Sequence, residues 1–257
     1  MKITYHISEL VPYINWVYYF YAWQVKDEGE KQRMKQEALE KLAELEDKYR
    51  VYAVFQLFDA NSDGEDIVLS NSKRIPCLRQ QQGEPPYLCL ADFISPVKSR
   101  LGLFATTVDI GLETDFDDDV YQKMMVQLLA DRLAEACAER LHEQVRKDFW
   151  GYAKDENLSI ADMLIERFQG IRPAVGYPSL PDTSLNFVLD DILDMKQIGI
   201  RLTESGAMKP HASVSGMMIS NPKARYFSIG KIGEDQLEDY ARRRGLPVEV
   251  IRKFVTL

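Results

Sequence analysis

The spacing of apolar residues predicts helices in several parts of the chain. Residues 31–50 and 120–149 carry apolar side chains at helical intervals on otherwise polar surfaces. Three aspartates precede the second segment, where the dipole of a helix favours negative charge. An aromatic run predicts an N-terminal helix over 8–23. Two short helices are predicted to close the chain, separated by Gly245, with Pro247 starting the second.

Runs of β-branched and aromatic residues predict strands between these helices. VYAVFQLF at 51–58 and DIVLS at 66–70 predict a hairpin that turns at NSDGE. The other strand candidates are 87–94, 101–110 and a late hairpin of 212–220 with 225–232. Because the strands come in hairpins and not in repeated βαβ units, the pattern predicts an α+β fold with a largely antiparallel sheet. No repeat or change of composition marks a linker, so we expect one domain over residues 1–257.

Composition excludes several classes of function. The 257 residues are 46% hydrophobic and 28% charged, which is ordinary for a globular protein with a large core. The net charge of −8 argues against nucleic acid as the main partner. No stretch has the length and apolar character of a signal peptide or a membrane span, and three dispersed cysteines are typical of a reducing compartment. We therefore expect a cytoplasmic protein with no nucleic-acid or membrane partner.

Two motifs resemble metal sites but have simpler interpretations. DANSDGEDIVLS at 59–70 matches the first half of a calcium loop, but Ser70 stands where a bidentate glutamate is needed. Since its flanks predict strands, we interpret it as a polar hairpin turn. Glu139 and His142 form the E-x-x-H pair of di-iron bundles, which also need a second copy and further carboxylates. A polar helix face is the simpler interpretation of that pair.

The segment GIRPAVGYPSLPD at 170–182 is the most rigid that the sequence predicts. Its prolines and glycines exclude a helix or a central strand, and they surround Arg172 and Tyr177. Such a stretch is either a ligand-binding loop or a rigid connection, and its own residues leave both possibilities open.

Longer motifs add a family resemblance. They are LRQQ at 78–81, CLADF at 89–93, LADRLAEACAERLHEQVRKDFWGYA at 129–153, FQGIRPAVGYPSLPD at 168–182, LTESGAMKPHASVSG at 202–216 and DQLEDYARRRG at 235–245. From about residue 8 to the C-terminus, the chain resembles the activation domain of cobalamin-dependent methionine synthase. The resemblance implies a single C-shaped α+β domain whose bent, mainly antiparallel sheet is flanked by helices.

The resemblance also implies a function. Members of the family bind S-adenosylmethionine and support the reductive methylation of cob(II)alamin, while a flavodoxin-type donor supplies an electron. This sequence starts at Met1 without homocysteine, folate or cobalamin modules. We therefore expect a reactivation subunit that acts in trans on a separate methionine synthase chain, which carries the cobalamin. It would be a component of a methyltransferase of methionine biosynthesis, with no catalytic side chain of its own, because the cofactors carry the chemistry.

The resemblance further implies which residues hold the ligand. Arg172 suits the ligand's carboxylate, since a guanidinium can bond it bidentately. Backbone groups from Arg172 to Tyr177 can read the adenine, and Tyr177 matches a tyrosine that approaches the corrinoid. Glu135 and Glu166 could face the ligand's ammonium group. The implied set is Arg172, Pro173, Ala174, Gly176, Tyr177, Glu166, Glu135, Asn15, Tyr226 and Phe227.

The sequence departs from the family pattern at specific positions. Asn15 replaces an aspartate, which keeps hydrogen bonding but removes a charge. Lys209 and His211 stand where relatives often have Trp and Gly. Two alternatives therefore remain open, a docking module without useful ligand affinity and a reactivator of another corrinoid methyltransferase. The retained Arg172, Glu166 and Tyr177 favour ligand binding over the first alternative.

Overall fold

One curled antiparallel sheet of six strands carries the fold in the computed structural model, which describes residues 1–255. The strands are β1 (Lys2–Tyr5), β2 (Val51–Asp63), β3 (Asp66–Leu69), β4 (Arg74–Pro76), β5 (Ser99–Val108), β6 (Arg201–Leu202), β7 (Met208–Lys209) and β8 (Ser213–Met218). The sheet runs in the order β4-β3-β2-β5-β8, with β1 also paired to β2, while β6 and β7 form a separate hairpin. The α+β class with a bent, mainly antiparallel sheet is therefore confirmed.

Helices flank this sheet, and most of them are short. They are α1 (Ile7–Leu10), α2 (Trp16–Ala22), α3 (Glu28–Leu45), α4 (Gly111–Thr114), α5 (Val120–Gln144), α6 (Ile160–Leu164), α7 (Leu185–Leu193), α8 (Glu234–Arg244) and α9 (Val248–Ile251). The carboxylate of Asp119 caps α5 by accepting from the backbone N–H groups of Tyr121 and Gln122. Within residues 1–255, no helix has the length and apolar character needed to cross a membrane.

The sheet is covered on both faces, which explains why the central part of β5, Leu101 to Ala105, is apolar and buried. Phe104 faces the core formed with α1, α3 and α5. Its neighbours Leu103 and Ala105 face the opposite core, to which α7 contributes. Successive side chains of a strand point to opposite faces, so a strand with two covered faces needs no polar positions.

The two strongest periodic segments form helices as predicted. The helix predicted over 31–50 begins at Glu28 and ends at Leu45. The one predicted over 120–149 is α5 followed by a π-helical turn, Val145–Phe149. The hairpin of 51–70 is also confirmed, with Asp63 paired to Asp66 across a turn shorter than NSDGE. The one-domain prediction extends to residues 256 and 257, which lie outside the described residues.

The continuous helix predicted over 8–23 is wrong. The chain forms α1, a 3-10 turn that contains Pro12, and then α2. Asn15 has an extended backbone and caps α2, because its side-chain oxygen accepts from the N–H of Val17 at 3.2 Å. A proline and a capping residue thus divide an apolar run that has no other polar break.

The strand predicted over 87–94 is also wrong, since Leu90–Phe93 form a 3-10 turn. The carboxylate of Asp92 accepts from the N–H of Cys89 at 2.9 Å and forms an ion pair with Arg79. This local acceptor closes a turn where the apolar pattern alone predicted an extended chain.

The last predicted strand, 225–232, is not a strand. The edge of β8 that it was expected to pair with is occupied by the loop of Arg172, through bridges of Ile171 with Ile219 and of Ala174 with Gly216. The segment 225–232 instead passes beside this loop, where it contributes to the cavity described next.

Candidate functional site

A cavity of about 670 Å³ lies between α5, the start of α2 and the loops that contain Arg172 and Tyr226. Nine of the ten residues that the sequence implied line it: Asn15, Glu135, Glu166, Arg172, Pro173, Ala174, Tyr177, Tyr226 and Phe227. Gly176 does not line it. The lining residues that sequence reasoning missed are Tyr13, Tyr18, Arg132, Glu139, Leu164, Pro178, Ser179 and Ser228. The structure thus gathers the predicted residues at one place, and their roles in binding remain predictions.

The loop that carries Arg172 is fixed by backbone pairing with β8. The carbonyl of Pro173 accepts from the N–H of Met217 at 3.0 Å, and the N–H of Val175 donates to Ser215 at 2.9 Å. This pairing needs a glycine at position 216, since a Cβ there would lie 2.2 Å from the carbonyl oxygen of Pro173. The loop is therefore rigid through tertiary hydrogen bonds as well as through its prolines.

Gly176 shapes the turn without facing the cavity. Its φ of +87° lies in the left-handed region, which glycine adopts without strain. Its N–H donates to the carbonyl of Leu180 at 2.8 Å, and the N–H of Tyr177 donates to Ala174 at 3.2 Å. Gly176 thereby directs Tyr177, which is half exposed, towards the mouth of the cavity.

Arg172 is the buried cation of the cavity, with 8% of its surface exposed. Its terminal guanidinium nitrogen forms an ion pair with Glu139, and its backbone N–H donates to the hydroxyl of Tyr226 at 2.8 Å. Its Nε is buried and has no hydrogen-bond partner in residues 1–255. Burial lowers the pKa of the guanidinium, but Glu139 and the neighbouring Tyr226, Glu135 and Tyr177 together outweigh this effect, and the net shift is upward. Arg172 therefore stays charged and keeps an unused donor.

Three glutamates surround this cation. Glu135 and Glu139 lie one turn apart on the same face of α5, and the hydroxyl of Tyr177 donates to Glu135 at 2.7 Å. Glu166 has a φ of +60°, which is uncommon for a residue with a side chain. Burial raises the pKa of Glu166, Glu139 raises it further and Arg172 lowers it. The cavity therefore combines one strongly held cation with several anionic groups.

Aromatic side chains form the other walls. The ring of Phe227 packs against Phe93 with centroids 6.3 Å apart, and Tyr226 is partly exposed above the loop. On the α2 side, the guanidinium of Arg132 lies 5.5 Å from the ring centroid of Tyr18. Flat apolar surface beside convergent polar groups is typical of small-molecule sites.

The E-x-x-H motif on α5 is divided between two environments. Glu139 lines the cavity, whereas His142 is fully buried and packs edge-on against Phe168 at 4.7 Å. Burial holds the pKa of His142 well below its usual range. The motif therefore places Glu139 in the lining of the cavity and His142 in the buried core. The helical spacing from Glu135 to Glu139 was the signal that could have identified Glu139 as a site residue.

Comparison with known proteins identifies the family. The model of the vitamin B12 dependent methionine synthase activation domain matches residues 6–245. Among solved structures, the chain is similar to the crystal structure of the MetH reactivation domain bound to AdoHcy, with a TM-score of 0.94 and 38% sequence identity. That similarity covers 99% of this chain and 88% of the other. The chain therefore belongs to the family of activation domains of vitamin B12-dependent methionine synthase.

Proposed function

We propose that the cavity binds S-adenosylmethionine and that the domain presents its methyl group to cob(II)alamin during reductive reactivation of methionine synthase. The observation that carries this proposal is Arg172, a buried guanidinium whose Nε has no partner among residues 1–255, in a cavity lined by carboxylates and aromatic rings. The similar reactivation domain was crystallised with AdoHcy, the demethylated form of this ligand, which supports the same ligand class here.

The chemistry of the cavity matches the parts of S-adenosylmethionine. Its volume of about 670 Å³ is within the range of sites for small molecules. The guanidinium of Arg172 suits the carboxylate of the ligand, and the carboxylates of α5 suit its cationic groups. The rings of Tyr226 and Phe227 suit the apolar faces of its adenosine. The cavity thus presents groups suited to the amino-acid part of the ligand and groups suited to its nucleoside.

In this proposal the side chains of the cavity bind and orient S-adenosylmethionine, and the reactivity comes from the ligand and the corrinoid. S-adenosylmethionine would supply an electrophilic methyl group to a corrinoid reduced by an external electron, with S-adenosylhomocysteine as the leaving group. Fixing the carboxylate at Arg172 leaves the ligand few orientations, so the methyl group can be held towards the open mouth beside Tyr177. The hydrogen bond from Tyr177 to Glu135 links the two walls of that mouth.

We also propose the partners of the reaction, supported by membership of the family. They are a cobalamin-carrying methionine synthase chain and a flavodoxin-type electron donor, with the reaction taking place in the cytoplasm.

Transfer of a labelled methyl group tests the proposal. The purified chain would be mixed with S-adenosylmethionine labelled in its methyl group, a separately produced cobalamin module in the cob(II)alamin state and a reducing system. We expect label to enter the corrinoid only when all components are present, which would also support action in trans. Absence of transfer with a competent cobalamin module and electron donor would contradict the reactivation role.

A further inference from the structure

We infer that Glu139 binds the α-ammonium group of the ligand, so that the Arg172–Glu139 ion pair recognises the complete zwitterionic end of an amino acid. The cavity would then select ligands with both a free amine and a free carboxylate. This inference rests on the proposed function, because it assigns one contact within the same site. It adds a specificity-determining residue that is absent from the set implied by the family resemblance.

The position of Glu139 supports this assignment. Its carboxylate lines the cavity and accepts from the terminal guanidinium nitrogen of Arg172, while 21% of its side chain is exposed. Arg172 has donors beyond the one used in this pair, and its Nε is buried without a partner in the described residues. A ligand carboxylate can therefore bond the guanidinium while Glu139 stays beside it.

The covalent geometry of an amino acid then fixes where the ammonium group lies. Its nitrogen and its carboxyl carbon are only about 2.5 Å apart, because both are bonded to the same Cα. A carboxylate docked on Arg172 consequently brings the ammonium group within a few ångströms of the guanidinium. Glu139 is the carboxylate in direct contact with that guanidinium. It is thus the anionic group best placed to accept from the ammonium.

The other two carboxylates of the cavity are less suited to this role. Glu135 already accepts from the hydroxyl of Tyr177 at 2.7 Å, at the mouth of the cavity. Glu166 lies on a different element, after α6, and no ion pair joins it to any residue from 1 to 255. Its pKa is raised by burial, which disfavours the charged form that an ammonium group requires.

The ion pair also explains how a zwitterion can enter a buried site. In the free protein, Arg172 and Glu139 neutralise each other, so neither leaves an uncompensated buried charge. A bound zwitterion adds one anion next to Arg172 and one cation next to Glu139. The net charge of the cavity is unchanged, and each new contact is a charge-assisted hydrogen bond.

Two variants and two ligands test the inference by calorimetric titration. The ligands are S-adenosylhomocysteine and 5′-S-(3-carboxypropyl)-5′-thioadenosine, which lacks only the amine. We expect Glu139→Gln to weaken the binding of S-adenosylhomocysteine roughly tenfold or more, because a charge-assisted hydrogen bond is lost. The same change should not weaken binding of the amine-free ligand, since that ligand has no ammonium group for Glu139 to bind and its carboxylate lies beside Glu139 on the same guanidinium.

Glu156→Gln is the matched control. Glu156 pairs with the buried Arg146, as Glu139 pairs with Arg172, but it does not line the cavity. This variant should lower stability and leave the preference between the two ligands unchanged. Thermal unfolding would establish that both variants are folded before titration.

Each outcome separates this inference from the proposed function. If Glu139→Gln weakens the binding of both ligands equally, Glu139 only positions Arg172, and its assignment to the ammonium group is wrong. Unchanged binding of S-adenosylhomocysteine in Glu139→Gln would also overturn it. If the unmodified protein binds neither ligand nor S-adenosylmethionine, the proposed function fails instead.

Discussion

The hydroxyl of Tyr177 donates a hydrogen bond of 2.7 Å to the carboxylate of Glu135. The contact joins the rigid loop that follows Arg172 to the middle of α5, across the mouth of the cavity. Tyr177 is half exposed, so this bond is accessible to solvent and can open without disturbing the core. The two walls of the mouth are therefore joined by a contact that is easily broken, while Arg172 itself is buried.

The first prediction concerns this bond. Tyr177→Phe removes the donor but keeps the ring, so we expect the free energy of unfolding to fall by no more than about 1 kcal/mol. Hydrogen exchange of the amides in 176–180 should become faster, because the loop loses its tie to α5. Tyr21→Phe, on the exposed face of α2, is the control. Unchanged exchange in 176–180 would show that the bond does not hold the loop.

The second prediction concerns the charge at position 15. Asn15→Asp keeps an acceptor for the N–H of Val17, so α2 should remain capped and stability should change little. The added negative charge should strengthen binding of S-adenosylmethionine more than that of S-adenosylhomocysteine, which lacks the sulfonium charge. We expect the ratio of the two affinities, measured by titration, to rise about tenfold. A ratio equal to that of the unchanged protein would exclude a role for this position in sensing the ligand's charge.

The third prediction concerns the close approach of the loop to β8. In Gly216→Ala the new Cβ would meet the carbonyl oxygen of Pro173 at 2.2 Å and the Cα of Ala174 at 2.9 Å, so backbone must move. We expect a loss of about 1–3 kcal/mol in the free energy of unfolding, together with weaker ligand binding. Gly29→Ala, within α3, is a control that should not weaken binding. Full ligand affinity in Gly216→Ala would mean that the loop does not depend on this pairing.

The fourth prediction concerns the pH dependence of stability. The pKa of Glu166 is raised in the folded protein, mainly by burial, so its ionisation opposes folding. Its favourable contribution is present below the ordinary pKa of glutamate and is lost as the pH rises through the higher folded-state pKa. Glu166→Gln, which carries no charge, should therefore be more stable than the unchanged protein at neutral pH.

Denaturant unfolding across a pH series measures this difference. The stabilisation by Glu166→Gln should shrink as the pH falls towards the ordinary pKa of glutamate and vanish below it. Ser205→Ala, on the exposed turn before β7, changes no titratable group and is a control that should show no such trend. A variant that is equally or less stable than the unchanged protein at neutral pH would contradict the prediction.

Local patterns predicted the elements whose formation depends on local spacing. The helices α3 and α5 were found because their apolar positions repeat along one face, and the hairpin of β2 and β3 because Gly64 marks its turn. The segments 87–94 and 225–232 have strand-like composition but do not form strands. Pairing along an edge depends on what already occupies it, and Arg172's loop takes the edge of β8. This competition for the edge of β8 depends on tertiary structure, so the periodicity of the sequence does not reveal it.

The site was predicted less by pattern than by resemblance. Nothing in local spacing relates Asn15 to Tyr226, which the fold brings to one cavity. Glu139 was missed as a ligand residue because its importance comes from its ion pair with Arg172, a contact between distant parts of the chain. The orphaned Nε of Arg172 is likewise visible only when the burial of that side chain is known.

Calorimetric titration with S-adenosylmethionine tests the central claim most directly. The unchanged protein would be measured beside Arg172→Ala, Arg172→Lys and the control Arg100→Ala, which lies outside the cavity lining. We predict micromolar binding that falls at least about thirtyfold in Arg172→Ala, with Arg172→Lys intermediate and the control unaffected. No heat and no thermal shift at millimolar ligand, or equal binding by all four proteins, would contradict the account.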